Sequence, residues 1–371
     1  MSQKCILSLA LTLGLISFSC SKISLEPVKP ERKVFTPRWI KNLDVAYSTG
    51  NLPIGLQSPA MADEFLYVGE NSGIFHAYNR KNGRPIWKSD EGQAYHASPV
   101  VFKDKVLYGN VEGRLYARNR FNGELIYNID LGSAVESEPV LYQGRLIVHT
   151  RNHKIVCLDA ETGKVLWAYK RSVPFLTTLQ RVSQPLVYKN RIYVGFADGF
   201  TVAFNLEEGA ILWETKVVNG QKFIDVDTHP TIFDEKIVVG SQSGQMSILN
   251  PRSGFIERHL PYFIARAPLI LEDQMIVGTT DGEVVFLNSG LKETHKMKVS
   301  EGGITSIAQW GEEFIVSTTS GELIAISIKS KEILDTFHFG HSSSALFGTL
   351  VVKGDTLAAY SSRNRLYVFR R

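Results

Sequence analysis

Histidine, cysteine and acidic side chains build most catalytic and metal sites, but this 371-residue chain does not space them in such a pattern. It contains nine histidines, of which His338 and His341 lie three residues apart in a Phe-His-Phe-Gly-His segment. Two imidazoles at that spacing need further ligands nearby to form a zinc site, and none accompanies them in the sequence. We therefore predict that the chain holds no metal ion and that its histidines belong to loops or to the core.

The motifs of nucleophilic and phosphate chemistry do not occur either. The sequence has no Gly-x-Ser-x-Gly segment to expose a nucleophilic serine, and no glycine-rich segment with phosphate-loop spacing. Many acidic residues stand in short polar turns, as at Asp104, Asp198, Asp234 and Asp281. Carboxylates in such turns usually accept hydrogen bonds from the local backbone. The sequence predicts a protein that is not an enzyme and that carries no cofactor.

The first residues have the pattern of a bacterial lipoprotein signal. The apolar stretch at 6–18 is too short to span a bilayer and fits a secretory signal. Cys20 follows it, in an arrangement that resembles the site where a lipoprotein is cleaved and lipidated. Ser17 departs from this pattern, which usually has Leu there, so an ordinary signal peptide with an incidental cysteine is the alternative. We expect a lipoprotein signal peptide at 1–19 and a lipid-anchored tether at 20–37.

Ser21 bears on the destination of the chain, and the remaining cysteines bear on whether it can form disulfides. Ser21 follows the lipidation position, where Ser rather than Asp favours the outer membrane. Cys5 is removed with the signal, so Cys157 is the one other thiol of the mature chain. A single remaining thiol cannot form an intramolecular disulfide framework. We predict that Cys157 is a small core residue in a strand.

Eight copies of one unit occupy residues 38–371. Each copy has a proline between apolar residues, a polar turn, a β-rich run, a second turn and a second β-rich run. The proline position is occupied in turn by Pro59, Pro99, Pro139, Pro185, Pro230, Pro268, Ser306 and Leu350. Small sheets repeated at such intervals are typical of β-propeller blades, because one sheet cannot bury both of its faces alone. We predict an all-β, eight-bladed β-propeller of four-stranded antiparallel blades.

A large aromatic residue follows a glycine turn in the early copies and is expected to anchor the outermost strand against a neighbouring blade. This position holds Trp87, Tyr127, Trp167 and Trp213 in copies one to four, and Arg258, Thr294 and Asp335 in copies five to seven. The eighth copy lacks a fourth strand, whereas residues 38–43 resemble one that carries Trp39. We predict that this N-terminal strand completes the eighth blade, closes the ring and covers an exposed sheet edge.

The spacing of the copies is irregular in one place. Successive intervals are 40, 40, 46, 45, 38, 38 and 44 residues, so the two longest are consecutive. Their additional residues fall in 172–183 and 218–227, which connect an outermost strand to the next innermost strand. Because strands alternate in direction, both connections emerge on one face, on either side of the fourth blade. Lengthened loops on a rigid scaffold are common binding sites.

These two connections carry the residue types of a protein interface. The first offers Phe175, Leu176, Leu179 and Arg181, and the second offers Asp225 and Asp227. An apolar anchor surrounded by opposite charges favours a protein partner over a small molecule. The alternative is that the leucines tuck beneath the ring and the aspartates cap local turns, and the residue types alone do not decide between the two.

The charge distribution argues against nucleic acid as a partner. The net charge is +4, and Lys and Arg never run beyond two or three consecutive residues. A protein that follows a phosphate backbone usually concentrates basic residues in a patch or stripe. We expect no nucleic-acid binding.

The units resemble the quinoprotein-type repeat, as in residues 146–167, rather than the WD40 repeat. Over residues 38–371, and at the lipidated cysteine, the chain is similar to the BamB family of outer-membrane β-barrel assembly lipoproteins. The similarity is most specific in the blade and long loop at 146–185. It is equally specific at 225–230, where Asp-Val-Asp-Thr-His-Pro matches the family's Asp-Val-Asp-Thr-Thr-Pro at all but one position. The first loop is one residue longer than the family pattern.

The resemblance implies a non-enzymatic scaffold that is anchored to the outer membrane by lipid and faces the periplasm. It implies docking to a BamA-type insertase through that protein's POTRA domains, in support of outer-membrane protein folding and insertion. Unfolded outer-membrane proteins are a further implied partner. The residues implied by position are Cys20 for the lipid, Leu176, Leu179 and Arg181 for apolar and basic contacts, and Asp225 and Asp227 for acidic contacts.

The alternative function is a periplasmic propeller lipoprotein that binds a small ligand or a quinone-like cofactor in its central channel. Quinone-dependent dehydrogenases of this fold usually add a catalytic Asp, calcium ligands and often a disulfide between adjacent cysteines. This chain has no adjacent cysteines, and no acidic residue stands out within an inner strand. We therefore expect the scaffold function.

Overall fold

The computed structural model describes five stretches of the chain, and every regular element in them is a β-strand. The described residues are 33–44, 57–173, 182–220, 222–340 and 344–371. The strands form eight antiparallel sheets of four strands each, arranged as the blades of an eight-bladed β-propeller. The predicted fold class is confirmed.

Each blade runs from an innermost strand at the channel to an outermost strand at the rim. The innermost strands are β2 (Ala60–Ala62), β6 (Val100–Phe102), β10 (Val140–Tyr142), β14 (Leu186–Tyr188), β18 (Thr231–Phe233), β22 (Leu269–Leu271), β26 (Ile304–Trp310) and β30 (Val351–Lys353). The second strands are β3 (Phe65–Gly69), β7 (Lys105–Gly109), β11 (Arg145–His149), β15 (Arg191–Gly195), β19 (Lys236–Val239), β23 (Gln274–Gly278), β27 (Glu313–Thr318) and β31 (Thr356–Ser361).

The outer half of each blade is built in the same way. The third strands are β4 (Ile74–Asn79), β8 (Arg114–Asn119), β12 (Lys154–Asp159), β16 (Phe200–Asn205), β20 (Met246–Leu249), β24 (Glu283–Leu287), β28 (Glu322–Ser327) and β32 (Arg365–Arg370). The outermost strands are β5 (Pro85–Asp90), β9 (Leu125–Asp130), β13 (Val165–Lys170), β17 (Ile211–Lys216), β21 (Ile256–Leu260), β25 (Glu293–Lys298), β29 (Ile333–His338) and β1 (Thr36–Asn42).

Burial follows the position of a strand in its blade. Every residue of β3 and β7 is buried, because a second strand has strand neighbours on both edges and another blade against each face. The outermost strand β9 exposes four of its six residues, since it lies at the rim. The continuous apolar runs of the repeat therefore correspond to the middle of the blades, and its mixed runs to the rim.

Apolar clusters between neighbouring blades form the core. One cluster joins the third and fourth blades and includes Cys157, Phe196 and Phe204, all of which are fully buried. Burial disfavours the thiolate and raises the pKa of Cys157 to about 11. The prediction that Cys157 is a core residue is confirmed, and its thiol is unreactive at neutral pH.

The aromatic residues of the outermost strands anchor one blade to the next, as predicted. Each donates a hydrogen bond from its ring N–H or hydroxyl to a carbonyl in the turn before the outermost strand of the following blade. The pairs are Trp39 with Arg80, Trp87 with Arg120, Tyr127 with Ala160, Trp167 with Leu206, and Trp213 with Pro251, at 2.9 to 3.1 Å. The rings also bury apolar area between blades.

The ring closes through β1, which pairs with β32 and becomes the outermost strand of the eighth blade. Trp39 lies opposite Val368 in this pairing and bonds to the first blade. On the channel side, β2 of the first blade contacts β30 of the eighth. The predicted closure by the N-terminal strand is confirmed.

The segment that leads into β1 also packs against the propeller. Val34 and Phe35 are buried in the cluster formed by the seventh and eighth blades. Their backbone N–H groups donate hydrogen bonds of 2.7 and 2.9 Å to the carboxylate of Asp335 in β29. The packed part of the propeller therefore includes residues 33–37, which the sequence assigned to the tether. The predicted signal peptide, Cys20 and the first part of the predicted tether lie outside the described residues.

Candidate partner-docking site

The two long connections flank the fourth blade on the same face, as the spacing of the copies predicted. The first links β13 to β14 and the second links β17 to β18. Both contact the turn between β15 and β16, which comprises Phe196 to Gly199. This turn, referred to below as the fourth-blade turn, is the point at which the two connections meet.

Arg171 attaches the beginning of the first connection to the fourth-blade turn. Its Nε lies 2.6 Å from an oxygen of Asp198, and its Nη1 lies 2.8 Å from a carboxylate oxygen of Glu214. The guanidinium also lies over the rings of Phe196 and Phe200, at 5.3 and 4.8 Å from their centroids. Two ion pairs and two cation–π contacts hold this side chain in one position.

The second connection is held to the same turn through its backbone. The Val226 N–H donates to the Phe196 carbonyl at 3.1 Å, and the Val218 N–H donates to the Gly199 carbonyl at 3.2 Å. The approach is so close that a Cβ on Gly195 would lie 2.3 Å from the Val226 carbonyl oxygen. A glycine is therefore required at the end of β15 for the connection to sit here.

Thr228 anchors the far side of this connection. Its hydroxyl donates to the Gly240 carbonyl at 2.8 Å and accepts from the Gly240 N–H at 2.9 Å. The segment that contains Asp225 and Asp227 is thus held by backbone bonds at Val226 and by a side-chain clamp at Thr228. A short segment fixed on both sides presents its side chains in one arrangement.

The candidate contact residues divide between described and undescribed parts of the chain. Leu176, Leu179 and Arg181 lie outside the described residues. Asp225 and Asp227 are 3% and 9% exposed, so both carboxylates lie at the base of this surface rather than on its rim. Their side chains are in the second connection, next to the fourth-blade turn that Arg171 also contacts.

Buried histidines form the floor beneath the two connections. His149, at the end of β11, is fully buried and donates from Nδ1 to the Ser183 carbonyl at 2.9 Å. Its ring centroid is 5.9 Å from that of His153. His229 donates from Nδ1 to the Gln184 carbonyl at 3.0 Å. These bonds tie the third blade to the fourth and the fourth to the fifth. The sequence predicts that the histidines lie in loops or in the core, and His149 and His153 are buried whereas His229 is partly buried.

Burial keeps these imidazoles neutral. It lowers the pKa of His149 to about 3, against the hydrogen bond to Ser183, which raises it. The pKa of His153 is lowered by burial, with Asp198 raising it and Arg171 lowering it. The pKa of His229 is lowered by burial as well. A protonated imidazole would place a poorly solvated charge under both connections.

A different environment surrounds the channel, where the alternative function would have its site. Glu138 precedes the innermost strand β10, and burial raises the pKa of its carboxyl to about 7.

In the described part of the chain, no three His, Cys, Asp or Glu side chains are grouped so that they could hold a metal ion. The same residues contain no helix long and apolar enough to cross a membrane.

Known proteins share both the sequence pattern and the fold. The model of the family described as outer membrane protein assembly factor BamB matches residues 70–288 and 225–371, which together are more than half of the chain. No curated protein matches the chain significantly in sequence. Fold comparison gives a TM-score of 0.77 with the crystal structure of BamB from Moraxella catarrhalis, at 21% identity over 91% of this chain and 100% of that one.

Other solved structures have the same architecture with less sequence identity. The quinohemoprotein alcohol dehydrogenase from Comamonas testosteroni has a TM-score of 0.72 at 13% identity, over 92% of this chain and 77% of that one. The computationally designed protein Ika8 has a TM-score of 0.70 at 15% identity, over 86% and 100%. At these identities the structural likeness establishes the fold alone. Through the family model, this chain belongs to the family of the outer membrane protein assembly factor BamB.

Proposed function

We propose that the protein is a non-enzymatic scaffold of the outer-membrane β-barrel assembly machinery, which docks a BamA-type insertase through its periplasmic POTRA domains. Membership in the BamB family supports this proposal. The observation that carries it is the meeting of the two long connections on one turn of the fourth blade, through Arg171, Val218 and Val226. A surface built from two loops on a rigid ring is suited to holding a protein partner.

Within this proposal the contact residues have different places. Leu176, Leu179 and Arg181 supply apolar and basic contacts from the first connection. Asp225 and Asp227 supply acidic contacts from the base of the surface, where their low exposure removes competing water. Charge pairs that are shielded from water contribute more to affinity and specificity than pairs at an exposed rim.

We further propose that the protein is a lipoprotein of the outer membrane that faces the periplasm. The proposal rests on the signal pattern at 1–19 and on Cys20 as the lipid attachment site. The tether that follows lets the ring reach a periplasmic partner while the lipid stays in the membrane. Unfolded outer-membrane proteins are secondary candidate partners, since within the described stretches the outermost strand of each blade has a strand neighbour on one edge only.

The docking proposal is tested by co-purification of the insertase with this protein. We expect the association to be lost in Asp227→Arg and in Leu179→Glu, because each places an unfavourable charge in the interface. Glu112→Arg is the matched control, since Glu112 is exposed in the β7–β8 turn on the same face and lies two blades away.

Folding of each variant is checked by its thermal midpoint, since Asp227 is buried. Folded variants that still bring down the insertase at the wild-type level would contradict the assigned contacts. The alternative function makes a different prediction: purified protein would then show a cofactor absorbance band, or its unfolding temperature would depend on calcium.

A further inference from the structure

Two exposed phenylalanines flank the turn between β19 and β20 in the fifth blade. Phe223 belongs to the second long connection and is 51% exposed. Phe263 belongs to the next connection, between β21 and β22, and is 40% exposed. The Ser243 hydroxyl donates to the Phe223 carbonyl, and the Ile264 N–H donates to the Ser241 carbonyl. The two rings are therefore carried by backbone that is fixed to one turn from its two sides.

Their location sets them apart from the other exposed apolar residues of the described chain. Those lie on outermost strands or in the turns that precede them, namely Ile40, Ile86, Phe121, Leu125, Ile126, Val165, Leu166, Ile211, Leu212, Phe255 and Ile333. Among the large apolar side chains exposed in the described stretches, Phe223 and Phe263 alone lie in connections on the face of the two long loops. Exposed aromatic residues grouped on one face commonly mark a contact surface.

The backbone at Phe223 is held in an unfavourable conformation. Its φ is +57°, in the left-handed region that bulky residues rarely adopt. Bonds at Val218, Phe223 and Val226 fix the connection on either side of this residue and at the residue itself. The ring of Phe223 is thus half exposed on a backbone that its neighbours hold in place. Strain of this kind is characteristic of functional sites.

The exposed charge beside Phe223 is positive. Lys222 directly precedes it in the chain and is exposed. The carboxylates of the same connection, Asp225 and Asp227, are buried. A partner surface that complements Phe223 and Lys222 is therefore apolar and carries carboxylates at its edge.

We infer that Phe223 and Phe263 form an apolar docking patch that extends the insertase interface from the fourth blade onto the fifth and sixth. The inference rests on the proposed function, because Phe223 stands two residues before Asp225 in the same connection. The occupant is the periplasmic region of the insertase. It binds the patch through an apolar surface that carries acidic side chains at its edge. Phe223 and Phe263 act as anchors, and Lys222 steers the acidic edge towards them.

The probe is the purified periplasmic region of the BamA-type insertase, and the readout is its dissociation constant for this protein. We expect Phe223→Ala and Phe263→Ala each to weaken binding on the order of tenfold, as truncation of an interface anchor does. The matched control is Phe255→Ala. Phe255 is 70% exposed but precedes β21, at the opposite face of the ring from Phe263, so its truncation should leave the dissociation constant unchanged.

Phe223→Gly separates the contact from the fold. It removes the ring and also relieves the left-handed strain, so its thermal midpoint should equal or exceed that of the wild type while binding is weakened. Lys222→Glu should slow association with the insertase region at low salt. At high salt, where the charges are screened, the association rate of this variant should be close to that of the wild type.

The outcomes distinguish this inference from the function on which it rests. Binding by the wild type that is lost in Asp227→Arg but retained in Phe223→Gly and Phe263→Ala overturns the patch and leaves the docking function intact. A wild-type protein that does not bind the insertase region at all overturns both. The patch is also overturned if Phe255→Ala weakens binding as much as Phe223→Ala and Phe263→Ala do. The loss of affinity would then not depend on which face of the ring carries the phenylalanine.

Discussion

At the scale of single residues, burial under the two long connections decides which titratable groups are neutral. His149, His153 and His229 are the histidines of the described chain whose pKa is clearly lowered, and each lies between the third and fifth blades. They fill the floor of the docking surface without introducing charge, and two of them join neighbouring blades through carbonyl groups. The surface above them is therefore most stable when these imidazoles carry no proton.

Acid should destabilise this region through His149. Its pKa is near 6.5 in the unfolded chain and about 3 in the folded protein, so below pH 6.5 the unfolded chain binds the additional proton. The contribution of His149 to the free energy of unfolding is fully present above pH 6.5. It falls by about 1.4 kcal/mol per pH unit as the pH drops from there towards 3. His149→Gln, which keeps a donor for Ser183, should remove this part of the slope in urea unfolding measured from pH 7.5 to 4.5.

The measurement must separate the effect of His149 from that of other titratable groups. Glu138 acts in the opposite sense, because its raised pKa of about 7 favours the folded state at low pH and loses this contribution as pH rises from 4.5 to 7. The comparison is therefore made between variants and not on the wild type alone. His338→Gln is the control, since His338 is 67% exposed on its side chain. Parallel curves for wild type and His149→Gln would contradict the assignment.

At the scale of elements, the outermost strand determines how one blade meets the next. A β-bulge occurs at the start of this strand in each of the eight described blades. It adds a residue and turns the following side chain towards the neighbouring blade. In the fifth blade Arg258 holds this position and donates to the Gly290 carbonyl of the sixth, at 3.3 Å, as the aromatic residues do elsewhere.

The turn that receives an aromatic residue requires glycine for space as well as for conformation. A Cβ at Gly123 would lie 2.7 Å from the Trp87 ring, and φ there is +79°. Gly132 has the same φ, but a Cβ there would meet nothing within 4 Å. We expect Gly132→Ala to cost about 1–2 kcal/mol for the left-handed backbone. Gly123→Ala should cost roughly a further 1–3 kcal/mol for displacing the ring.

Urea unfolding of the two glycine variants beside the wild type measures this difference. Trp87 fluorescence in Gly123→Ala should also shift, because the ring is moved from its place between the first and second blades. Equal unfolding free energies for the two variants would mean that the blade contact tolerates a methyl group, and that the glycine serves only the turn.

At the scale of the whole molecule, the ring is completed by a strand that joins its blade without a covalent turn. β1 pairs with β32, and the residues before it cross to the seventh blade. Asp335 lies opposite Ala325 in β28, the register position that aromatic residues occupy in the first four blades. There it accepts hydrogen bonds from the N–H groups of Val34 and Phe35. A carboxylate replaces the aromatic where the entering chain must be held.

Loss of this carboxylate should loosen the closure. Asp335→Ala leaves two partly buried N–H groups without their acceptor, at a cost of about 1–3 kcal/mol each. We expect amides of β1 and β32 to exchange faster in this variant, since local opening of the closing strand becomes easier. His295→Ala is the control, because His295 has the corresponding register in the sixth blade and contacts Phe286 of its own blade. Equal protection of β1 in both variants would contradict the role of Asp335.

The repeat predicted the architecture well because its period is a property of each small sheet. Which residue of an outermost strand faces the next blade depends on the register between strands, and a count of residues along the chain does not include that register. Counting four residues past the glycine assigned Thr294 to the aromatic position of the sixth blade, whereas the register places His295 there. The same count found Asp335 but gave it no function, since its partners Val34 and Phe35 are 300 residues away in the chain.

The amino-acid pattern was sufficient to predict the number of blades, the strand that closes the ring and the blade that the two long connections flank. Each of these follows from local pattern and spacing, because every blade repeats the same alternation of strand and turn. The folded chain was needed to show how deeply Asp225 and Asp227 are buried, which turn the two connections share and which aromatic rings are exposed. Those outcomes depend on contacts between blades, where the packing of one chain segment against another sets exposure and the local sequence does not.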